Sequence, residues 1–205
     1  VNGFSKMQYS NGYYIGEFKE KKKNGQGSFV WSSGDKYIGE WKNGNITGLG
    51  KYIFASGDEY NGEFLDSIFH GQGTLTFENG VVYVGEFKDN MFHGQGTKIW
   101  EDGDKYTGDF LNGERTGKGT YIWKDGAKYT GDFLNGERTG KGTILYSDGG
   151  RYNGDFLKGD RHGKGTLVWP SGKKYDGEFI ENERNGEGTL IHVNGDKYFG
   201  KYYRD

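Results

Sequence analysis

The chain has 205 residues, of which 32% are hydrophobic and 17% aromatic, with 40 glycines, one proline, no cysteine and a formal net charge of −2. Disordered chains are poor in aromatic residues, so glycine at this density serves structure rather than a linker. A charge so close to neutral gives no reason to expect nucleic acid as a partner, and the lack of cysteine excludes a disulfide framework and a thiolate metal site.

The chain opens on VNGFSKMQYS, which has no signal-peptide pattern. No apolar run approaches the roughly 20 residues that cross a bilayer as a helix. A cytoplasmic protein is expected, with association to cytoskeleton or membrane open. Residues 1–13 read as the second half of a repeat, and without an initiator Met the chain is expected to be a piece of a longer protein.

From Tyr14 onward, tyrosine recurs at Tyr37, Tyr60, Tyr83, Tyr106, Tyr129, Tyr152, Tyr175 and Tyr198, a step of 23 residues without a slip. Such a period is the mark of a repeat architecture. Each tyrosine opens the pattern Tyr-x-Gly-Glu/Asp-aromatic, as in Tyr14-Ile15-Gly16-Glu17-Phe18 and Tyr106-Thr107-Gly108-Asp109-Phe110. A second segment follows, as in Gly94-Gln95-Gly96-Thr97-Lys98-Ile99-Trp100, and then a turn, x-x-Gly.

No glycine-free stretch exceeds eight residues, and each interior glycine costs a helix about 1 kcal/mol, so helices of ordinary length are excluded. Short segments rich in aromatic and β-branched residues between turn signals read as strands. Gly34, Gly103, Gly126 and Gly149 suit type I turns closed by a left-handed glycine, and Pro170 fits the second position of Trp169-Pro170-Ser171-Gly172. The prediction is an all-β, elongated, twisted single-layer antiparallel meander of 23-residue β-hairpin repeats, with about seventeen strands and a length of roughly 80 Å. Residues 14–197 form eight full repeats, residues 198–205 a half repeat with an edge strand, and the whole one continuous repeat domain.

Alternation places Tyr14, Gly16, Phe18, Gly27, Phe29 and Trp31 on one face and Ile15, Glu17 and Val30 on the other. Nothing in the sequence supplies a second layer, so the sheet is expected to curl into a trough with rings leaning over glycines.

The pattern Tyr-x-Gly-Glu-Phe, Gly-x-Gly, aromatic, x-x-Gly at this step resembles the MORN repeat. The resemblance implies an all-β scaffold that binds, and since no constellation of residues breaks the period to form an active site, the chain is read as non-catalytic and without a cofactor. MORN arrays occur in cytoskeletal and membrane-associated proteins and beside enzyme domains, so an accessory role to an enzyme is one alternative. Lys201 departs from the pattern, because it stands where other repeats carry an acid.

Several motifs imitate active sites. Gly113-Glu114-Arg115-Thr116-Gly117-Lys118-Gly119-Thr120 has three residues between its first glycines and Gly119 after Lys118, which is not a phosphate loop. His70, His93 and His162 share one repeat position and read as turn-flanking; at about 10 Å between repeats, neighbours cannot share a zinc ion. The acidic column Glu17, Glu40, Glu63, Glu86, Asp109, Asp132, Asp155 and Glu178 reads as a row of hydrogen-bond acceptors, because eight equivalent sites define no single cleft.

Three surfaces are expected to bind. A protein segment, helical or extended, is placed in the trough on Tyr60, Phe64, Tyr83, Phe87, Tyr106 and Phe110, since aromatic anchors dominate binding energy. Homodimerisation is placed at the C-terminal edge on Tyr198, Phe199, Tyr202 and Tyr203. The alternative partner is an anionic phospholipid surface met by Lys21, Lys22, Lys23, Arg115, Arg138 and Arg161, although Glu114, Glu137 and Asp160 stand beside the arginines and favour a solvated loop row.

Overall fold

The computed structural model describes residues 2–204, and every regular element among them is a β-strand. The chain divides into two compact units, Val1–Glu101 and Asp102–Asp205. The first holds β1 (Gly3–Tyr9), β2 (Gly12–Lys19), β3 (Lys22–Trp31), β4 (Lys36–Lys42), β5 (Asn45–Ile53), β6 (Glu59–Leu65), β7 (Ile68–Thr76), β8 (Val82–Lys88) and β9 (Met91–Ile99). The second holds β10 (Lys105–Leu111), β11 (Glu114–Ile122), β12 (Lys128–Leu134), β13 (Glu137–Leu145), β14 (Arg151–Leu157), β15 (Asp160–Val168), β16 (Lys174–Ile180), β17 (Glu183–Ile191) and β18 (Lys197–Tyr202). Eighteen strands replace the expected seventeen, because Gly3–Tyr9 of the leading partial repeat pairs fully with β2.

Within each unit the strands run as an antiparallel meander, each paired with its neighbours in sequence. Two kinds of turn alternate. Inside a repeat the turn has two residues, both at positive φ, such as Asp89 (53°) with Asn90 (65°) and Asn112 (50°) with Gly113 (90°). This is the type I′ geometry that matches the twist of a hairpin and favours Asn-Gly. Between repeats the expected glycine turn forms: the Gly172 amide, at φ 89°, donates to the Trp169 carbonyl at 2.8 Å.

Each repeat also carries a bulge. Gly108 faces Gly119, but Asp109 faces Thr116, which leaves Gly117 and Lys118 outside the pairing with β10. The orphaned Lys118 amide donates to Asp109 Oδ2 at 3.0 Å, as the Gln72 amide does to Glu63 Oε1 at 2.9 Å. The periodic carboxylate thus caps a bulge, which is the acceptor role expected of it. Gly117 has φ 55°, and a Cβ there would press on the Asp109 carboxylate.

The core explains the rest of the motif. Glycine faces glycine across successive strands, Gly108 with Gly119 and Gly119 with Gly131. The Tyr106 ring lies flat over this row, so a Cβ on Gly119 would enter the ring. Eight tyrosines from Tyr14 to Tyr175 are fully buried. Each ring meets aromatic edges on two sides: Tyr106 sits 5.1 Å from Phe110 and 5.0 Å from Phe133, at 89° and 80°. Edge-to-face pairs of this kind contribute about 0.5–1.5 kcal/mol each beyond the area they bury. The tyrosine hydroxyl donates to the carbonyl three residues on, as Tyr106 does to Asp109 at 3.1 Å. Burial first, then the nearby Asp109 charge, push the Tyr106 hydroxyl up to about 12. Among the described residues no helix is long and apolar enough to cross a membrane.

Candidate binding face

The glycine rows let one strand face of each unit carry two tiers of aromatic side chains. The lower tier is the buried ladder. Tyr60, Phe64, Tyr83, Phe87, Tyr106 and Phe110, the expected trough anchors, all belong to it, at 0% to 4% exposure. That corrects their assignment as contact residues, because the glycine floor lets neighbouring rings cover them. The upper tier comes from the ends of the second strands and remains half-exposed: Trp31, Tyr52 and Phe54 in the first unit, and Tyr121, Trp123, Tyr146 and Trp169 in the second. Trp31 stands 5.4 Å from Tyr52, and Tyr121 5.0 Å from Trp123.

One slot between the tiers varies along the chain. The tenth residue of each repeat, counted from its tyrosine, is Lys23, Ile46, Phe69, Phe92, Arg115, Arg138, Arg161 and Arg184 in turn. Phe69 lies flat on Tyr60 at 3.8 Å and 12°. In the second unit the guanidinium takes the place of that ring. Arg138 lies 5.4 Å from the Trp123 ring, 5.7 Å from Tyr129 and 5.7 Å from Phe156. Its Nη2 donates to the Gly159 carbonyl at 2.6 Å, while the Gly159 amide donates to the Arg138 carbonyl at 2.9 Å. Arg115 with Gly136 and Arg161 with Asn182 make the same reciprocal clasp onto the next hairpin turn.

The arginines therefore form no solvated loop row. They are half-buried strand residues on the aromatic face, because the turns before them, Asn112-Gly113, Asn135-Gly136, Lys158-Gly159 and Glu181-Asn182, are only two residues long and the second strand begins at once. Lys23 behaves likewise: its Nζ sits 4.2 Å from the Phe29 ring and 4.4 Å from Trp41, and burial lowers its pKa. Of the six basic residues assigned to a phospholipid surface, only Lys21 and Lys22 are exposed. The sequence held a signal for this. Arg115 precedes Tyr121 and Trp123 by even numbers of residues, which in a strand means the same face.

Two shallow hollows open on this face of the second unit. One, of about 410 Å³, is lined by Tyr146, Asp148, Arg161, Trp169, Asn182 and Arg184 among others. The other, of about 300 Å³, is lined by Arg115, Tyr121, Trp123, Glu137, Arg138 and Lys158 among others.

At the C-terminal edge, Tyr198, Phe199 and Tyr203 are 54%, 72% and 78% exposed. Tyr202 is buried at 6%, its ring 4.9 Å from Tyr175, where it ends the ladder. It is therefore corrected from surface residue to core. His70 and His93 lie within β7 and β9, opposite Glu63 and Glu86, rather than beside turns, and their Nδ1 atoms are buried without a hydrogen-bond partner. Among the described residues, no group of three or more His, Cys, Asp and Glu is placed to hold a metal ion.

The MORN repeat family matches at residues 14–36, 37–59, 60–82, 83–105, 106–128, 129–151, 152–174 and 175–197. The chain belongs to the MORN-repeat family. The repeat motif is accounted for by the geometry above: tyrosine ladder, glycine floor, bulge-capping acid and closing turn. A search of curated proteins gives no match. Among solved structures, the chain is similar to the TCP domain of Drosophila melanogaster SAS-4 in complex with a proline-rich motif of Ana2, at 13% identity and a TM-score of 0.48, covering 77% of this chain and 89% of that one. It is also similar to the G-box domain of the microcephaly protein CPAP, at 10% identity and a TM-score of 0.49, covering 98% of this chain and 100% of that one. At these values neither likeness bears on function.

Proposed function

We propose that this MORN array is a non-catalytic scaffold or adaptor whose aromatic face takes a protein segment. The observation that carries the reading is the half-exposed upper tier, Trp31, Tyr52, Phe54, Trp123, Tyr146 and Trp169, standing on a buried ladder that holds it in place. Rigid aromatic groups that are neither buried nor dispersed are the usual anchors of a binding surface. Their placement moves the contact from the ladder rings to the upper tier. The inward aim of Lys23, Arg115, Arg138 and Arg161 counts against a phospholipid surface.

Selection of peptides from a random display library against the whole chain tests the proposal. Selected peptides are expected to lose at least about tenfold in affinity with Trp123→Ser and Trp169→Ser, at unchanged melting temperature. Binders that ignore both substitutions and map to the opposite face would overturn it.

The edge strand β18 supports a second contact, self-association, through the exposed Tyr198, Phe199 and Tyr203. Sedimentation of the Phe199→Glu, Tyr203→Glu variant checks it. A dimer that persists unchanged would exclude this edge.

A further inference from the structure

The upper tier of the second unit is not simply apolar. Each hollow there holds two guanidinium groups: Arg161 and Arg184 with the single carboxylate Asp148, and Arg115 and Arg138 with Lys158 and the single carboxylate Glu137. Asp148 is partly engaged already, since its Oδ1 accepts the Gly150 amide at 2.8 Å. Positive charge therefore exceeds negative charge in both hollows.

Arg138 and Arg161 show what is missing. Among the described residues neither has a carboxylate within the 4.0 Å of an ion pair; the pairs Lys118 with Asp132, Lys141 with Asp155 and Lys174 with Asp176 lie elsewhere. Their partners are ring faces and one carbonyl each, which satisfy one of the five N–H donors that a guanidinium carries. Half-burying a cation against rings withdraws water without supplying an anion, and Asp160 attracts Arg138 only at longer range. A carboxylate arriving from outside would meet a fixed, partly dehydrated fork, the arrangement in which Arg–carboxylate pairs are strongest.

The spacing narrows the ligand. Two strands per repeat put equivalent arginines about 10 Å apart. A polyproline II segment, with three residues per turn and about 3.1 Å per residue, returns to the same face every 9 Å or so. Aromatic grooves also suit this conformation, which is ordered before it binds.

Resting on the proposed protein-binding face, we infer that the second unit's aromatic face takes an acidic polypeptide segment in extended, polyproline II form, with carboxylates three residues apart paired to the successive arginines Arg138 and Arg161. The tryptophan and tyrosine rings between the arginines receive the intervening residues.

The test uses the whole chain and a synthetic peptide of Pro-Pro-Glu triplets, with a Pro-Pro-Gln peptide as its neutral twin and binding followed by tryptophan fluorescence and calorimetry. The glutamate peptide is expected to bind, to weaken as salt is raised, and to exceed the glutamine peptide at least about tenfold in affinity. Arg138→Phe with Arg161→Phe removes the charge but supplies the ring that Phe69 and Phe92 provide at the same slot in the first unit. That variant should fold, which its melting curve will show, and lose the tenfold preference. Equal affinity for the two peptides, no binding of the glutamate peptide, or a preference that survives the double substitution would each overturn the inference. So would phosphatidylserine vesicles that displace the glutamate peptide and bind through the same arginines. Library peptides that anchor on Trp123 and Trp169 without acidic bias would overturn this inference and leave the proposed function standing.

Discussion

The two compact units share a backbone plan and a buried tyrosine ladder, and one slot on the aromatic face sets them apart. In the first unit the tenth repeat position is Ile46, Phe69 and Phe92 after an initial Lys23; in the second it is arginine four times. Phe69 fills the slot by stacking flat on Tyr60 at 3.8 Å. Arg138 fills it by laying a planar guanidinium across Trp123, Tyr129 and Phe156 and clasping the Gly159 carbonyl. A flat cation can therefore replace a ring on this scaffold without a second layer to cover it. The exchange alters the chemistry of the face while the fold stays as it is.

The largest effect tests what the units share. Burial pushes Tyr14, Tyr106 and Tyr129 up to about 12 and raises Tyr37, Tyr60, Tyr83 and Tyr152 as well. A folded value above the unfolded value of about 10 means that the folded state holds its phenol protons more tightly. That stability is complete below pH of about 10 and is lost as pH rises towards 12. Melting temperature should stay level from neutral pH to about pH 9 and then fall steeply as several tyrosines ionise together. A level profile at high pH would mean that the ladder is open to solvent.

Next come the rings themselves. Tyr60→Ala and Tyr129→Ala should cost about 3–5 kcal/mol each, and equally in the two units, because both remove a fully buried ring from the ladder. A large inequality in denaturant unfolding would break the claim of a common core.

The variable slot should show a smaller and unequal response. Phe69→Ala removes a stacked ring and is expected to cost about 2–4 kcal/mol. Arg138→Ala removes a half-exposed side chain with one hydrogen bond and is expected to cost about 1–2 kcal/mol. Arg138→Phe should cost less than Arg138→Ala, since the first unit already uses that solution.

The smallest effect belongs to the bulge cap. Asp109→Asn and Glu63→Gln weaken a charge-assisted bond to an exposed amide, and each should cost about 0.5–1.5 kcal/mol, alike in both units. A loss several times larger would make the acid a determinant of the fold rather than a cap.

Much of this was legible in advance, for a reason that particular residues show. Tyr106, Gly108 and Gly119 recur at fixed steps because a ring must lie on two glycines at once, and that constraint is local enough to leave its mark in the chain. The Asn112-Gly113 turn was equally visible, yet taking its surroundings as a loop set Arg115 in solvent. Read as a two-residue hairpin turn, the same dipeptide starts β11 at Glu114 and places Arg115 on the aromatic face.

The sequence by itself determined the period, the strands, the turns and the sharing of a face by tyrosine, glycine and phenylalanine. These follow from steric rules that act over a few residues. Only the tertiary structure decided which rings remain open. Tyr60 is sealed by Phe64 from its own repeat and Phe87 from the next, whereas Trp169 stands half-exposed at a strand end, and both are aromatic residues on one face. Exposure depends on what neighbouring repeats lay over a side chain, and that is a property of the assembled sheet.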